Sequence, residues 1–424
     1  MKKLIRNLMV LLVGFSSTNL LWATENRSST QNADYELEKV LIFSRHGLRS
    51  PVEKDPQEMA KYSPYAWAKW DVPSGYLTAK GTVLETYFGQ YLGQWLADKG
   101  LLTTDRCASG EGIFAYANAV QRTVATGQAL VAGAFAGCNV QLQHRGEIGS
   151  EKDPIFTTKV HNPSKALIES ANNVDLTALQ QKLAPNYALL SEIIDYKNSP
   201  NCLQKGECDL GGKVGEYSIK DGKSVKITGS ISTGKKIVSA LLLAHYVGKS
   251  DSEIANGHVD SQEKWRAINE IKNEYYCTLF KNNEVLAQNV SYPLLAFIQQ
   301  QLNSENKINL LVGHDSNIVA LLAALGVEPY ELDDSLENIP IGGKLLFEVW
   351  KHKPSGKLKF KLDYVYQTTE QLINITPLSL VSPPNQTALT LKGCEKDEHG
   401  FCDYERFQQV LSESIKNGKR LENK

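Results

Sequence analysis

The stretch LIFSRHGLRSP, residues 41–51, runs from an apolar segment straight into Arg45, His46 and Arg49. Two guanidinium groups flanking an imidazole repel one another once the ring is protonated, so the arrangement asks for an anion between them. Arg49 stands three residues past His46 and can turn back toward the same point. Two planar forks and a ring nitrogen then converge, a geometry that suits a tetrahedral oxyanion, phosphate best of all. A second stretch, LLVGHDSNIVALLAAL (310–325), sets His314 and Asp315 between an apolar run and a helical one, at a helix start where backbone N–H groups favour anions. Asp315 would serve equally well as a helix N-cap, with Ser316 able to share that duty, so this stretch alone weighs capping and catalysis evenly. Two histidine motifs, each at a strand end, tip the balance toward chemistry.

Cleaving a phosphate ester requires neutralised oxygens, a nucleophile in line with the leaving oxygen, and a proton for the departing alkoxide. Arginines supply the first, an unprotonated His46 nitrogen the second and Asp315 the third. Bound phosphate disfavours the Asp315 carboxylate and so helps it keep its proton.

The elements that must position these residues are legible as patterns. Val40–Ser44 and Ile308–Gly313 are short apolar runs without alternation, as in central strands covered on both faces. Ligands sit at the carboxyl ends of such strands, so the two motifs can meet across some 270 residues of chain. Thr82 and Glu85 read as a capping box opening a helix that carries Val83, Leu84, Tyr87, Phe88, Tyr91, Leu92, Trp95 and Leu96 at helical spacing and stops at Gly100. Further helices are expected from Gln121 and over STGKKIVSALLLAHYVG, the latter apolar almost all round and therefore buried. Residues 146–284 lack clear strand runs and read as a mainly helical insertion into an α/β domain formed by 24–145 and 285–424. The run from Gly342 to Gln367 is a hairpin about a Pro-Ser-Gly turn, which adds antiparallel strands and makes the sheet mixed.

Composition bounds the rest. With 46 Lys+Arg against 47 Asp+Glu, a formal charge of -1 and no basic stripe, nucleic acid is excluded as the main partner, and a small-molecule phosphomonoester fits. Residues 1–23 open with Lys2, Lys3 and Arg6, continue apolar and end near Ala23, the pattern of a secretory signal peptide that leaves no membrane segment behind. Export to an oxidising compartment makes close cysteines disulfide partners: Cys107 with Cys138, Cys202 with Cys208, and Cys394 with Cys402, leaving Cys277. Sequence alone does not fix that connectivity. No Cys-x-x-Cys pattern or histidine cluster calls for a metal, and GSISTGKK (229–236) misses the nucleotide P-loop at Lys236, where a hydroxyl should stand, so it reads as a tight turn before a buried helix.

RHGLRSP together with GHDSN resembles the histidine acid phosphatase family, and the similarity runs along nearly the whole mature chain. WDVPSGYLTAKGTVLE, AYANAVQRTVATGQ and PIGGK are most similar to its bacterial periplasmic glucose-1-phosphatase branch. The resemblance implies a phosphoglycerate-mutase-like mixed sheet flanked by helices, a second helical domain, and no cofactor or metal. It implies that His46 becomes phosphohistidine, that Asp315 protonates the leaving group, and that Arg45, Arg49, Arg122 and His314 hold the phosphate. Arg122 is assigned only by the resemblance. Gly47 stands where that branch can carry Asn, glycine being the pattern of related phytases and broader acid phosphatases. That departure weakens the sugar-phosphate preference relative to the phosphatase activity; the resemblance implies glucose 1-phosphate as the substrate, with phytate beside it. A mutase-like phosphotransferase and an exported protein that binds sugar phosphates without cleaving them are the rival readings.

Overall fold

Strand β1 (Tyr35–Arg45) carries the first apolar run into the middle of a mixed sheet. The structure is a computed structural model that describes residues 34–52, 58–149, 153–172, 174–280 and 283–420; the leader expected at 1–23 lies outside them. The strands that follow are β2 (Ile113–Ala117), β3 (Leu142–Gln143), β4 (Tyr217–Ser218), β5 (Lys226–Ile227), β6 (Ile308–Gly313), β7 (Lys344–His352), β8 (Leu358–Tyr366), β9 (Asn385–Leu389) and β10 (Cys402–Asp403). Their order across the large sheet is β10-β8-β7-β1-β6-β2-β3, with β9 paired to β8. β1, β6, β2 and β3 run parallel, while the β7/β8 hairpin, β9 and β10 pair antiparallel, the mixed sheet that the pattern predicts. Side chains alternate across β1: Val40 and Ile42 pack with Phe88, Leu92 and Leu130, whereas Leu41 and Phe43 join Ile318, Phe347 and Phe407.

Helices α1 (Ala79–Asp98) and α3 (Gln121–Ala134) lie toward the first of those clusters, with the short α2 (Thr104–Ser109) between them in sequence. The start of α1 differs from the capping-box reading. Thr78 is the N-cap, its hydroxyl accepting the Gly81 N–H at 3.0 Å, and Thr82 is already inside the helix, donating its hydroxyl to the Thr78 carbonyl. Glu85 is thereby carried one turn further in and buried. α1 and α3 touch at Gly89 and Gly133, where a Cβ on either residue would run into the other helix's backbone.

Between 165 and 280 come α4 (Lys165–Asn172), α5 (Leu176–Lys182), α6 (Ala184–Ile193), α7 (Pro200–Lys205), α8 (Gly229–Val247) and α9 (Gln262–Leu279), with the short β4/β5 ribbon and three 3-10 turns between them. GSISTGKK is not a turn ahead of α8 but its first two turns, entered at Gly229 with φ +76°. α10 (Glu284–Leu302), α11 (Asp315–Ala324) and α13 (Tyr404–Arg420) cover the other face of the sheet, and α12 (Thr369–Asn374) is short. Phe407, Leu411 and Ile415 form the buried stripe of α13, at the spacing of one helix face. Among the described residues the disulfides are Cys107–Cys138, Cys202–Cys208 and Cys394–Cys402, and Cys277 is exposed and outside them. No helix among them is long and apolar enough to cross a membrane.

Candidate active site

The parallel register of β1 and β6 answers how distant motifs meet. Arg45 pairs with Gly313, and the His46 N–H donates to the Gly313 carbonyl at 3.0 Å. His46 and His314 therefore leave adjacent strands side by side, with ring centroids 5.7 Å apart. β2 lies on the far side of β6, and the next residue, Asn118, donates its N–H to Val312 before α3 begins at Gln121, which brings Arg122 to the same edge. The six residues His46, Asp315, Arg45, Arg49, Arg122 and His314 are linked there by contacts: Arg45 Nη2 to Asp315 Oδ2 at 3.3 Å, Arg49 Nε to His46 Nε2 at 3.5 Å, and Arg122 Nη2 to His314 Nδ1 at 3.3 Å.

His46 is buried, at 1% exposure, and its Nδ1 lies 3.0 Å from the Gly47 carbonyl. A carbonyl only accepts, so the proton sits on Nδ1 and the Nε2 lone pair faces the pocket. Burial, then the cations Arg122, Arg49 and Arg45, hold this imidazole well below its usual range, which keeps it neutral in acid. His314 is pushed down to about 3 by burial and Arg122. Asp315 is not the N-cap of α11 but its first residue; His314 is the N-cap, and its N–H is taken by Asn317 Oδ1 at 3.0 Å. Burial opposes the Asp315 charge, yet Arg45, Arg49 and Lys235 outweigh it and keep the carboxyl well below the usual range. Asp315 is therefore held as a carboxylate, and an anion placed among these cations would offset their pull on it.

Several side chains that hold this set in place carry no sequence signal. Arg45 Nη1 lies 3.2 Å from Glu337 and also donates to the Ile339 carbonyl, while Lys272 pairs with the same Glu337. Glu337 and Asp315 together outweigh burial and raise the Arg45 pKa. Tyr276 donates to Asp315 Oδ2 at 2.9 Å, and the Asn118 amide lies 2.6 Å from His314 Nε2. Behind the loop, Lys344 and Glu85 form an ion pair at 3.0 Å with exposures of 0% and 1%, and Lys344 caps the Phe88 ring at 3.5 Å. A Cβ on Gly47 would stand 2.7 Å from Glu85 Cγ, so Asn at that position would displace this carboxylate. No group of three or more His, Cys, Asp or Glu side chains among the described residues is placed to hold a metal ion.

An α/β sheet that gathers His46, its arginines and Asp315 at one strand edge defines a phosphate-handling class of protein. The chain belongs to the histidine phosphatase superfamily (branch 2), whose family model matches residues 36–205 and 259–367. It is 36% identical to a glucose-1-phosphatase of Salmonella typhimurium over 402 residues, covering 94% of this chain and 97% of that one. A glucose-1-phosphatase of Providencia rettgeri is 37% identical over 400 residues, with 92% and 94% covered. Among solved structures, the apo form of Hafnia alvei phytase superposes with a TM-score of 0.82 at 28% identity, covering 90% of this chain and 97% of that one.

Proposed function

We propose that this protein is an acid phosphomonoesterase acting through a phosphohistidine on His46. The Nε2 lone pair attacks phosphorus, the P–O ester bond breaks with its electron pair on oxygen, and the Asp315 proton moves to that oxygen. Water then attacks the phosphohistidine, Asp315 takes its proton, and the P–N bond breaks to return the lone pair to Nε2. Arg45, Arg49, Arg122 and His314 hold the three phosphoryl oxygens, as preorganised donors do. The observation that carries this reading is the Gly47 carbonyl on Nδ1, which leaves Nε2 unprotonated, its lone pair accepting from Arg49 Nε at 3.5 Å. Sites of this kind are tuned by burial and charge to keep a nucleophile usable at the working pH.

Glucose 1-phosphate is the first substrate, supported by the two relatives bearing that activity in their names. Phytate is the second, supported by the phytase structure and by Lys235, which stands close enough to depress Asp315 and suits a leaving group carrying further phosphates. The leader and the disulfides support a periplasmic location. Residues 24–145 and 285–424 form the phosphatase unit in this reading, and 146–284 the insertion that covers the pocket. Purified protein is expected to release phosphate from p-nitrophenyl phosphate at acidic pH, with or without a chelator, and His46→Ala is expected to abolish the release. Turnover retained by that variant would end the assignment, and tight binding of glucose 1-phosphate without hydrolysis would favour a binding protein. Phosphate delivered to a second hydroxyl would favour a phosphotransferase.

A further inference from the structure

The Asp315 carboxyl is gripped unevenly. Oδ2 accepts from the Tyr276 hydroxyl at 2.9 Å and lies 3.3 Å from Arg45 Nη2, which occupies both of its lone-pair directions. Among the described residues Oδ1 accepts only the Ser316 N–H, at 2.8 Å. A proton on Oδ2 would displace one of two donors, whereas a proton on Oδ1 displaces none. We propose that Tyr276 is a positioning residue that fixes the transferable proton of Asp315 on Oδ1, the oxygen turned away from both donors. The proposal rests on Asp315 being the acid of the proposed phosphatase.

The placement of Tyr276 is itself determined. It lies on α9 one turn after Lys272, on the same helix face, so one face of one helix grips both carboxylates that hold Arg45: Lys272 takes Glu337 and Tyr276 takes Asp315. The Tyr275 ring stands perpendicular to it at 5.5 Å and 89°, and the Lys235 ammonium sits 3.9 Å over Tyr275 and 5.4 Å from the Tyr276 ring. The hydroxyl therefore has little freedom to leave Asp315. During turnover it does not exchange its own proton. It donates to Oδ2 before transfer, when Oδ1 is protonated, and after transfer, when the carboxylate is bare.

Tyr276→Phe removes the donor and keeps the ring in place. Leaving oxygens differ in their need for a proton: the sugar alkoxide of glucose 1-phosphate needs one, and p-nitrophenolate scarcely does. The variant is expected to lose about tenfold in kcat on glucose 1-phosphate and little on p-nitrophenyl phosphate, a fraction of what a general acid contributes. Because the lost hydrogen bond favoured the carboxylate, the alkaline limb of kcat for glucose 1-phosphate moves up by about one pH unit. In an Asp315→Asn background, which has no proton to place, Tyr276→Phe adds nothing further. Equal losses on both esters, an unmoved alkaline limb, or a full additional loss in the Asp315→Asn background would each overturn the proposal. A wild-type protein inactive on both esters would instead sink the phosphatase reading, and this one with it.

Discussion

Replacing Arg49 with Gln isolates the electrostatic argument for an acid-tolerant nucleophile. Arg49 Nε lies 3.5 Å from His46 Nε2, and burial with Arg122, Arg49 and Arg45 keeps the imidazole neutral. Two unit charges at that separation repel by about 5 kcal/mol at an effective dielectric near 20. That ceiling corresponds to roughly three to four pH units at 1.36 kcal/mol each. Arg49 is only half-buried, so solvent screens part of it, and a rise of about one to two units is expected. The sign follows directly. Losing a neighbouring cation favours the imidazolium, His46 titrates at higher pH, and less of it is a nucleophile in acid. The assay is a carbon-13 NMR titration of the ring in unliganded protein, with the resonance assigned from the spectrum of His46→Ala. It is paired with kcat/KM for p-nitrophenyl phosphate across the acid range, where the limb moves upward as the plateau drops by about 10²–10³ for the lost oxyanion donor. If His46 of Arg49→Gln titrates where the wild-type ring does, the cations are not what keeps the nucleophile bare, and the reasoning fails.

Two further perturbations test what supports the site. Glu85→Gln strands the Lys344 ammonium at 0% exposure and is expected to cost about 3–5 kcal/mol in urea unfolding, whereas Glu85→Leu with Lys344→Met restores most of it. A loss below 1 kcal/mol in the single variant would refute the pairing. On β7 and β8, Glu348 and Asp363 are buried together, and burial followed by Asp363 pushes the Glu348 carboxyl up to about 8 from an ordinary 4.5. The fold thus keeps a proton that the unfolded chain releases, so stability from this site is full below about 4.5 and declines as pH rises toward about 8. Glu348→Gln should gain up to about 3 kcal/mol at pH 7 and almost nothing at pH 4.5; an equal effect at both would contradict a proton kept on Glu348.

What could be read from the chain and what could not divides along physical lines. Arg45, His46, His314 and Asp315 were legible because each follows an apolar run, and a run that stops abruptly at charges marks a strand's carboxyl end. The hairpin was legible because Pro-Ser-Gly separates two alternating stretches. Arg122 looked like any helix-start arginine, since its meaning comes from β2 lying beside β6. Tyr276, Lys272, Glu337 and Asn118 reach the site by packing between distant elements, for which local pattern carries no signal. Glu85 was misread because a Thr and a Glu three residues apart satisfy the capping rule anywhere, and Thr78 was the better cap. The same holds for Lys235, whose near-P-loop neighbours hid its nearness to Asp315.

The ladder that joins Arg45 to Gly313 carries one last consequence. Residue 315 must have left the ribosome before His46 and Asp315 can share a strand edge, and closing so large a loop is slow compared with local helix formation. The two motifs therefore come together late in folding, after the helices between them can already have formed.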